Sequence, residues 1–229
     1  MDALQHRLDA LQQRIRQSRE AAGRAADTVT LLAVSKTRSA AEIRALATLG
    51  ITDIGENYLQ EALAKQAELA DLALTWHFIG PIQSNKTRDI ASHFNWVHSV
   101  DRARIAHRLN DQRPTGLPPL NVCIQVNVDD ERSKSGVSLA EVPELAAVIA
   151  ALPQLRLRGM MAIPRADAAD GGRAAFRTLA MTLSQLRHTI PALDTLSMGM
   201  SGDFEAAIAE GATIIRLGTA LFGPRPGRA

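Results

Sequence analysis

The sequence predicts an α/β protein: a (β/α)8 barrel of the TIM type, spanning residues 1–229 as one domain, with an extra N-terminal helix. Three observations carry this. Eight apolar runs with strand character alternate with helical segments. The length, 229 residues, is close to the ~250 typical of such barrels. No Gly/Ser-rich linker or break in composition divides the chain. An open doubly wound sheet is the alternative, and the absence of a GxGxxG motif after the first strand counts against it.

The elements follow in order. Leu4, Leu8, Leu11 and Ile15 are spaced four, three and four apart, one apolar stripe on a helix. The stripe lasts only about two heptads, too short for a coiled coil, so a helix docked on the body is expected. Thr28 to Lys36 is the first strand. Ser39 with Glu42 three residues later reads as a capping box, opening a helix to Leu49 that Gly50 stops. Ile51 to Asn57 is the second strand, and Tyr58 to Leu72 the next helix. Thr75 to Gly80 is the third strand, followed by a helix from Asn85 to His93. Trp96 to Val100 is the fourth, with a helix from Asp101 to Asn110, and the three prolines between Asp111 and Pro119 fit one loop. Leu120 to Val128 is the clearest strand, β-branched and apolar as a parallel strand covered on both faces should be. A helix from Ser138 to Ala151 leads to the sixth strand, Leu155 to Ile163. After a polar loop, a long helix runs from Gly172 to His188. Thr195 to Ser201 is the seventh strand, Asp203 to Glu210 a short helix, and Thr213 to Phe222 the eighth strand.

Composition narrows the function. With 26 Lys+Arg and 24 Asp+Glu the formal net charge is +2, which argues against non-specific nucleic-acid binding. Aromatic residues make up 3%, too few for a platform that stacks single-stranded bases. Hydrophobic residues at 46% and charged residues at 22% exclude general disorder. The single Cys123 excludes an intrachain disulfide, and its place mid-strand reads as core. The charged N-terminal segment lacks the apolar core of a secretion signal, and no stretch approaches the ~18 apolar residues of a membrane span. A cytoplasmic protein is expected.

In a barrel, chemistry gathers where strands end and the following loops begin. Those positions hold Ser35 and Lys36, then Glu56 and Asn57, His77 and Gly80, His98 and Ser99, Asn127, Met160 and Met161, Met200 and Ser201, and finally Arg216, Gly218 and Thr219. A lysine in a partly dry mouth loses charge to burial, and a neutral amine captures carbonyls as a Schiff base. The alternative for Lys36 is an ion pair with a carboxylate such as Glu56. Ser201-Gly202 runs into a helix N-terminus, where N–H groups and a hydroxyl suit an anion. Gly218-Thr219 adds a backbone open to close approach and a second hydroxyl, and a phosphate site after strands seven and eight recurs in these barrels. Lysine and phosphate cradle together point to a phosphorylated aldehyde or ketone: a sugar-phosphate aldolase or a pyridoxal 5′-phosphate (PLP) protein. Arg216 shares a strand face with Gly218. Facing a pyridine nitrogen it would keep its proton and leave the ring a weaker electron sink; the alternative is an ion pair with Glu56. The histidines lack metal-ligand spacing, Lys134 reads as a solvated loop residue, and no carboxylate pair offers acid and base.

The strings AVSKT (33–37), GENY (55–58), WHFIGPIQSNK (76–86), SVD (99–101), SKSG (133–136), RGMMAIP (158–164), LSMGMSGDFEAAI (196–208) and RLGTALFG (216–223) resemble the pyridoxal phosphate homeostasis protein family, also called the YggS/PROSC family. The resemblance runs from Leu31 to Arg225. It implies a PLP-binding barrel like that of alanine racemase without the racemase's second, β-rich domain. It implies that Lys36 holds PLP as an internal aldimine, that Ser201, Gly202, Gly218 and Thr219 bind its phosphate, that Arg216 faces the pyridine nitrogen, and that Asn57 and Met200 complete the contacts. Family members keep free PLP low, so a reservoir or carrier that hands PLP to apo-enzymes is expected, as a monomer, with little or no turnover. The alternative, an amino-acid racemase, needs a second base on the other face of the substrate carbon. In the racemase that base is a tyrosine of the second domain, and the only tyrosine here is Tyr58.

Overall fold

The structure is a computed structural model; it describes residues 2–25, 28–131, 134–165 and 167–224. Ser133 of the SKSG string and Arg225 lie outside the described residues.

Eight parallel strands close a barrel in chain order: β1 (Thr30–Val34), β2 (Asp53–Glu56), β3 (Thr75–Phe78), β4 (Trp96–Val100), β5 (Leu120–Val126), β6 (Leu155–Ala162), β7 (Thr195–Ser197) and β8 (Ile214–Leu217). The seam closes between β8 and β1, where Leu32 pairs with Arg216. Helix α1 (Asp2–Ala21) precedes the barrel. The others follow the strands: α2 (Ala40–Thr48), α3 (Leu59–Glu68), α4 (Thr87–His93), α5 (Ala103–Gln112), α6 (Val142–Ala150), α7 (Arg173–Leu186), α8 (Phe204–Ala209) and α9 (Thr219–Phe222). The expected (β/α)8 barrel with an N-terminal helix is the observed fold.

Local chemistry sets several boundaries. The Ser39–Glu42 capping box forms as the sequence predicts, and Gly50, at φ +84°, takes the left-handed conformation that ends α2. Pro143 sits in the first turn of α6, where a missing N–H does no harm.

The last two strands are shorter than expected. The run Thr195–Ser201 leaves the sheet after Ser197 because Gly199 adopts φ +93°. The run Thr213–Phe222 leaves it after Leu217, and Thr219–Phe222 is a helical turn that buries Leu221 and Phe222. A short apolar run does not distinguish a strand from a buried helix. Both departures free the positions beyond β7 and β8 to line the mouth of the barrel.

Leu8, Leu11 and Ile15 bury the predicted stripe of α1, which packs on α8 and α9. Arg14 pairs with Glu205 of α8, and Arg7 Nε donates to the Leu221 carbonyl at 2.8 Å. Just beyond α1, Arg24 Nη1 donates to the carbonyls of Ile208 (2.9 Å) and Ala212 (2.7 Å). The N-terminal helix thus braces the elements that follow β7 and β8.

Candidate functional site

A cavity of about 310 Å³ opens at the C-terminal ends of the strands. Lys36, Asn57, Met200, Ser201, Gly202, Arg216, Gly218 and Thr219 all line it. These are the eight residues singled out from the sequence, drawn from loops after β1, β2, β7 and β8 and from β8 itself. Val34, Ile79 and Ile163 supply apolar wall, and Arg38 adds a cation that sequence reasoning missed. The Arg38 guanidinium reaches the Gly223 carbonyl at 2.5 Å and tethers the segment after α9.

The backbone around Lys36 is pinned on both sides. Ser35 N–H donates to the Gly55 carbonyl at 2.9 Å, and Lys65 Nζ donates to the Ser35 carbonyl at 2.8 Å. Thr37 sits at φ +65°, and its N–H donates to Glu61 Oε1 at 2.5 Å. Positive φ in a β-branched residue is uncommon and costs energy; here the flanking bonds hold it. The buried Glu56 carboxylate, considered as a partner for Lys36, accepts from Ser35 Oγ at 2.5 Å and from Lys65 Nζ at 2.6 Å. Burial is the largest influence on it and pushes its pKa up.

The turns after β7 and β8 form one continuous ledge. Ser201 Oγ accepts from Ala220 N–H at 3.2 Å, joining the two loops. Asp203 accepts from Met200 N–H at 2.5 Å and fixes the first turn before α8. Gly202 faces open space where a side chain would stand, and a Cβ on Gly218 would meet the Val34 carbonyl at 3.3 Å. A group in the cavity therefore meets bare backbone at two points, beside the hydroxyls of Ser201 and Thr219. Across the mouth, Asn57 Oδ1 is buried with no hydrogen-bond partner among the described residues. Buried polar atoms are almost always satisfied, and this one lies at the edge of the cavity.

Arg216 forms the floor and is 4% exposed. Its Nη1 donates to Ser197 O (2.5 Å) and Ser197 Oγ (2.9 Å), and Nη2 donates to Ala162 O (2.9 Å). The ion pair with Glu56 considered from sequence is replaced by these neutral acceptors. Burial brings the Arg216 pKa down to about 10, so the guanidinium remains charged at neutral pH.

Lys134 departs from expectation. It is not a solvated loop residue: its Nζ donates to the carbonyls of Ile163 (3.2 Å) and Pro164 (3.0 Å) and pairs with Glu131 at 2.5 Å. It ties the loop after β5 to the loop after β6 and lines a smaller cavity that shares Asn57, Ile79 and Ile163 with the main one. Cys123 lies in the core as expected. Tyr58, at the start of α3, is largely exposed. Among the described residues no group of three His, Cys, Asp or Glu could hold a metal ion, and no helix is long and apolar enough to cross a membrane.

An amine-bearing side chain, a bare-backbone ledge with two hydroxyls and a buried guanidinium suit a small aromatic or carbonyl compound carrying a phosphate. Comparison with known proteins points the same way. Residues 6–226 match the family model described as alanine racemase, N-terminal domain. A pyridoxal phosphate homeostasis protein of Pseudomonas aeruginosa is 63% identical, over 93% of this chain and 91% of that one. The Escherichia coli K12 protein of the same name is 50% identical over 98% of both. The solved structure of PipY from Synechococcus elongatus, with PLP bound, is similar with a TM-score of 0.84 and 38% identity, covering 96% of this chain and all of that one.

Proposed function

The chain belongs to the pyridoxal phosphate homeostasis protein family, and from that membership we propose that residues 1–229 act as one PLP-binding domain that stores and delivers the cofactor. The observation that carries this reading is the convergence of Lys36, Arg216 and the Ser201–Gly202/Gly218–Thr219 ledge on one cavity. PlP-sized ligands with a phosphate and an aldehyde match the two ends of that cavity. PLP supplies an aldehyde that captures amines, and here the capturing amine is Lys36, in a Schiff base. The ledge would hold the phosphate, Asn57 and Met200 would contact the ring from the cavity wall, and Arg216 would face the pyridine nitrogen.

Arg216 also limits the chemistry the ring would support. A guanidinium does not surrender its proton to the ring, so the ring stays a weaker electron sink than one protonated through a carboxylate. Tyr58, exposed at the start of α3, is poorly placed as a racemase's second base. A monomeric cytoplasmic carrier with little or no catalysis, passing PLP to apo-enzymes, is the reading these features support.

The test is an absorption spectrum of the protein loaded with PLP, followed by borohydride reduction and peptide mapping. A visible band fixed by reduction onto Lys36, and absent from Lys36→Ala of unchanged fold, supports the proposal. No uptake, or a label on another lysine, overturns it. L- to D-alanine conversion at a useful rate would make the protein a racemase instead.

A further inference from the structure

A buried hydrogen-bonded chain leaves Arg216 on the side away from the cavity and crosses the barrel. Arg216 Nη1 lies 2.9 Å from Ser197 Oγ. Ser197 Oγ lies 2.7 Å from His98 Nδ1, His98 Nε2 lies 3.0 Å from His77 Nδ1, and His77 Nε2 lies 3.0 Å from Asp53 Oδ1. Ser197 and both histidines are buried. Asp53 is the first residue of β2, at the end of the barrel opposite the cavity, and its side chain is 32% exposed.

The two ends of this chain dictate its direction. A guanidinium only donates, and a carboxylate only accepts. Asp53 must therefore receive Nε2–H of His77, which leaves His77 Nδ1 to accept. It accepts Nε2–H of His98, whose Nδ1 then accepts the Ser197 hydroxyl proton. Ser197 Oγ in turn accepts from Arg216. Every donor points from the cavity floor toward Asp53, and every polar atom along the way is satisfied. Burial pushes both imidazoles below their ordinary range, His98 well below, which agrees with two neutral rings. Trp96 stacks on His77 with centroids 5.5 Å apart and planes inclined by 11°, and holds the ring against rotation.

We infer that Asp53 is a positioning residue for the cofactor site: through His77, His98 and Ser197 it fixes the donor order that holds the Arg216 guanidinium beneath the cavity. Were the order reversed, His98 Nδ1–H would donate to Ser197 Oγ beside the Arg216 N–H, two donors crowding one oxygen, and the Ser197 hydroxyl proton would lose its acceptor. The inference rests on the reading that PLP occupies the cavity, and its test separates the two.

The tautomers are read first, by ¹⁵N NMR of the histidines in the unliganded wild-type protein. Both rings are expected as neutral Nε2–H forms. An Nδ1–H form or a charged ring at His77 or His98 overturns the chain, whatever the cavity binds. PLP uptake is then titrated by absorption. Asp53→Asn and Ser197→Ala are each expected to weaken uptake about three- to tenfold, the scale of one hydrogen bond's net contribution, and to shift the visible band in the same direction. Asp53→Glu, which keeps the carboxylate, is expected to restore the wild-type band, and Asp71→Asn, a surface partner of Arg44, to leave it unchanged. Wild-type affinity and band in Asp53→Asn would overturn the role of Asp53. If the wild-type protein takes up no PLP, the cofactor reading fails, while the tautomers still decide the chain.

Discussion

Lys65 Nζ stands 2.6 Å from Glu56 Oε1 in the buried layer between α3 and β2, and the same amine holds the carbonyl of Ser35, the residue before the lysine that lines the cavity. The second oxygen of Glu56 is buried without a partner among the described residues. Lys65 is therefore the counter-ion that makes a charged Glu56 tolerable. Lys65→Met should destabilise the fold by about 3–5 kcal/mol, as removal of one member of a buried pair does. Burial already raises the Glu56 pKa from 4.5, and losing Lys65 raises it further. A carboxylate whose folded pKa is raised binds its proton more tightly when folded, so stability falls as pH rises through that range. The deficit should be larger at neutral pH than near pH 4.5, in urea unfolding followed at both.

Gly80→Ala tests the contact between β3's end and the site. A Cβ there would stand 2.2 Å from the Asn57 carbonyl, a backbone atom with no rotamer to escape into. The strands should part and carry Asn57 with them, at about 1–3 kcal/mol, the usual cost of overpacking. A lowered melting temperature together with weaker PLP uptake is the expected result.

Glu210 clasps α7 to the segment after α8. It accepts from Arg173 Nε at 2.6 Å and from Arg177 Nη2 at 2.9 Å. These bonds hold its pKa down from 4.5 to about 2. A depressed carboxylate stabilises the fold above its unfolded pKa, and that contribution is lost as pH falls through the folded one. Glu210→Gln should lower the melting temperature at neutral pH and leave a shallower decline between pH 4.5 and 2 than the wild type shows.

Cys123 is wholly buried, and burial pushes its thiol up to about 12. The reactive thiolate is nearly absent at pH 8. Iodoacetamide should leave the native protein unlabelled at that pH and modify it stoichiometrically once it is unfolded. Labelling of the native protein at the rate of a free thiol would contradict the placement.

What could be read in the sequence divides along a physical line. Lys36, Ser201 and Gly218 were legible because strand ends in a barrel announce their own location, and the capping box at Ser39 because it is local chemistry. The helical turn Thr219–Phe222 was not, since its apolar residues suit a strand equally well. Lys134 was misread because its acceptors are the carbonyls of Ile163 and Pro164, about thirty residues away, and backbone acceptors leave no mark in sequence. The chain from Arg216 to Asp53 was invisible for a related reason. His98 and Ser197 are 99 residues apart, and only barrel closure brings them together.

The brace formed by α1 has a consequence for the order in which the protein is made. Lys36 follows the first strand of the barrel, but the ledge beyond β7 and β8 and its anchors Ile208, Ala212 and Leu221 come more than 160 residues later in the chain. Contacts so distant in sequence form late and slowly. A growing chain therefore presents Lys36 well before it can grip a phosphate. The site becomes whole only when α1 meets α8 and α9, the helices that follow β7 and β8.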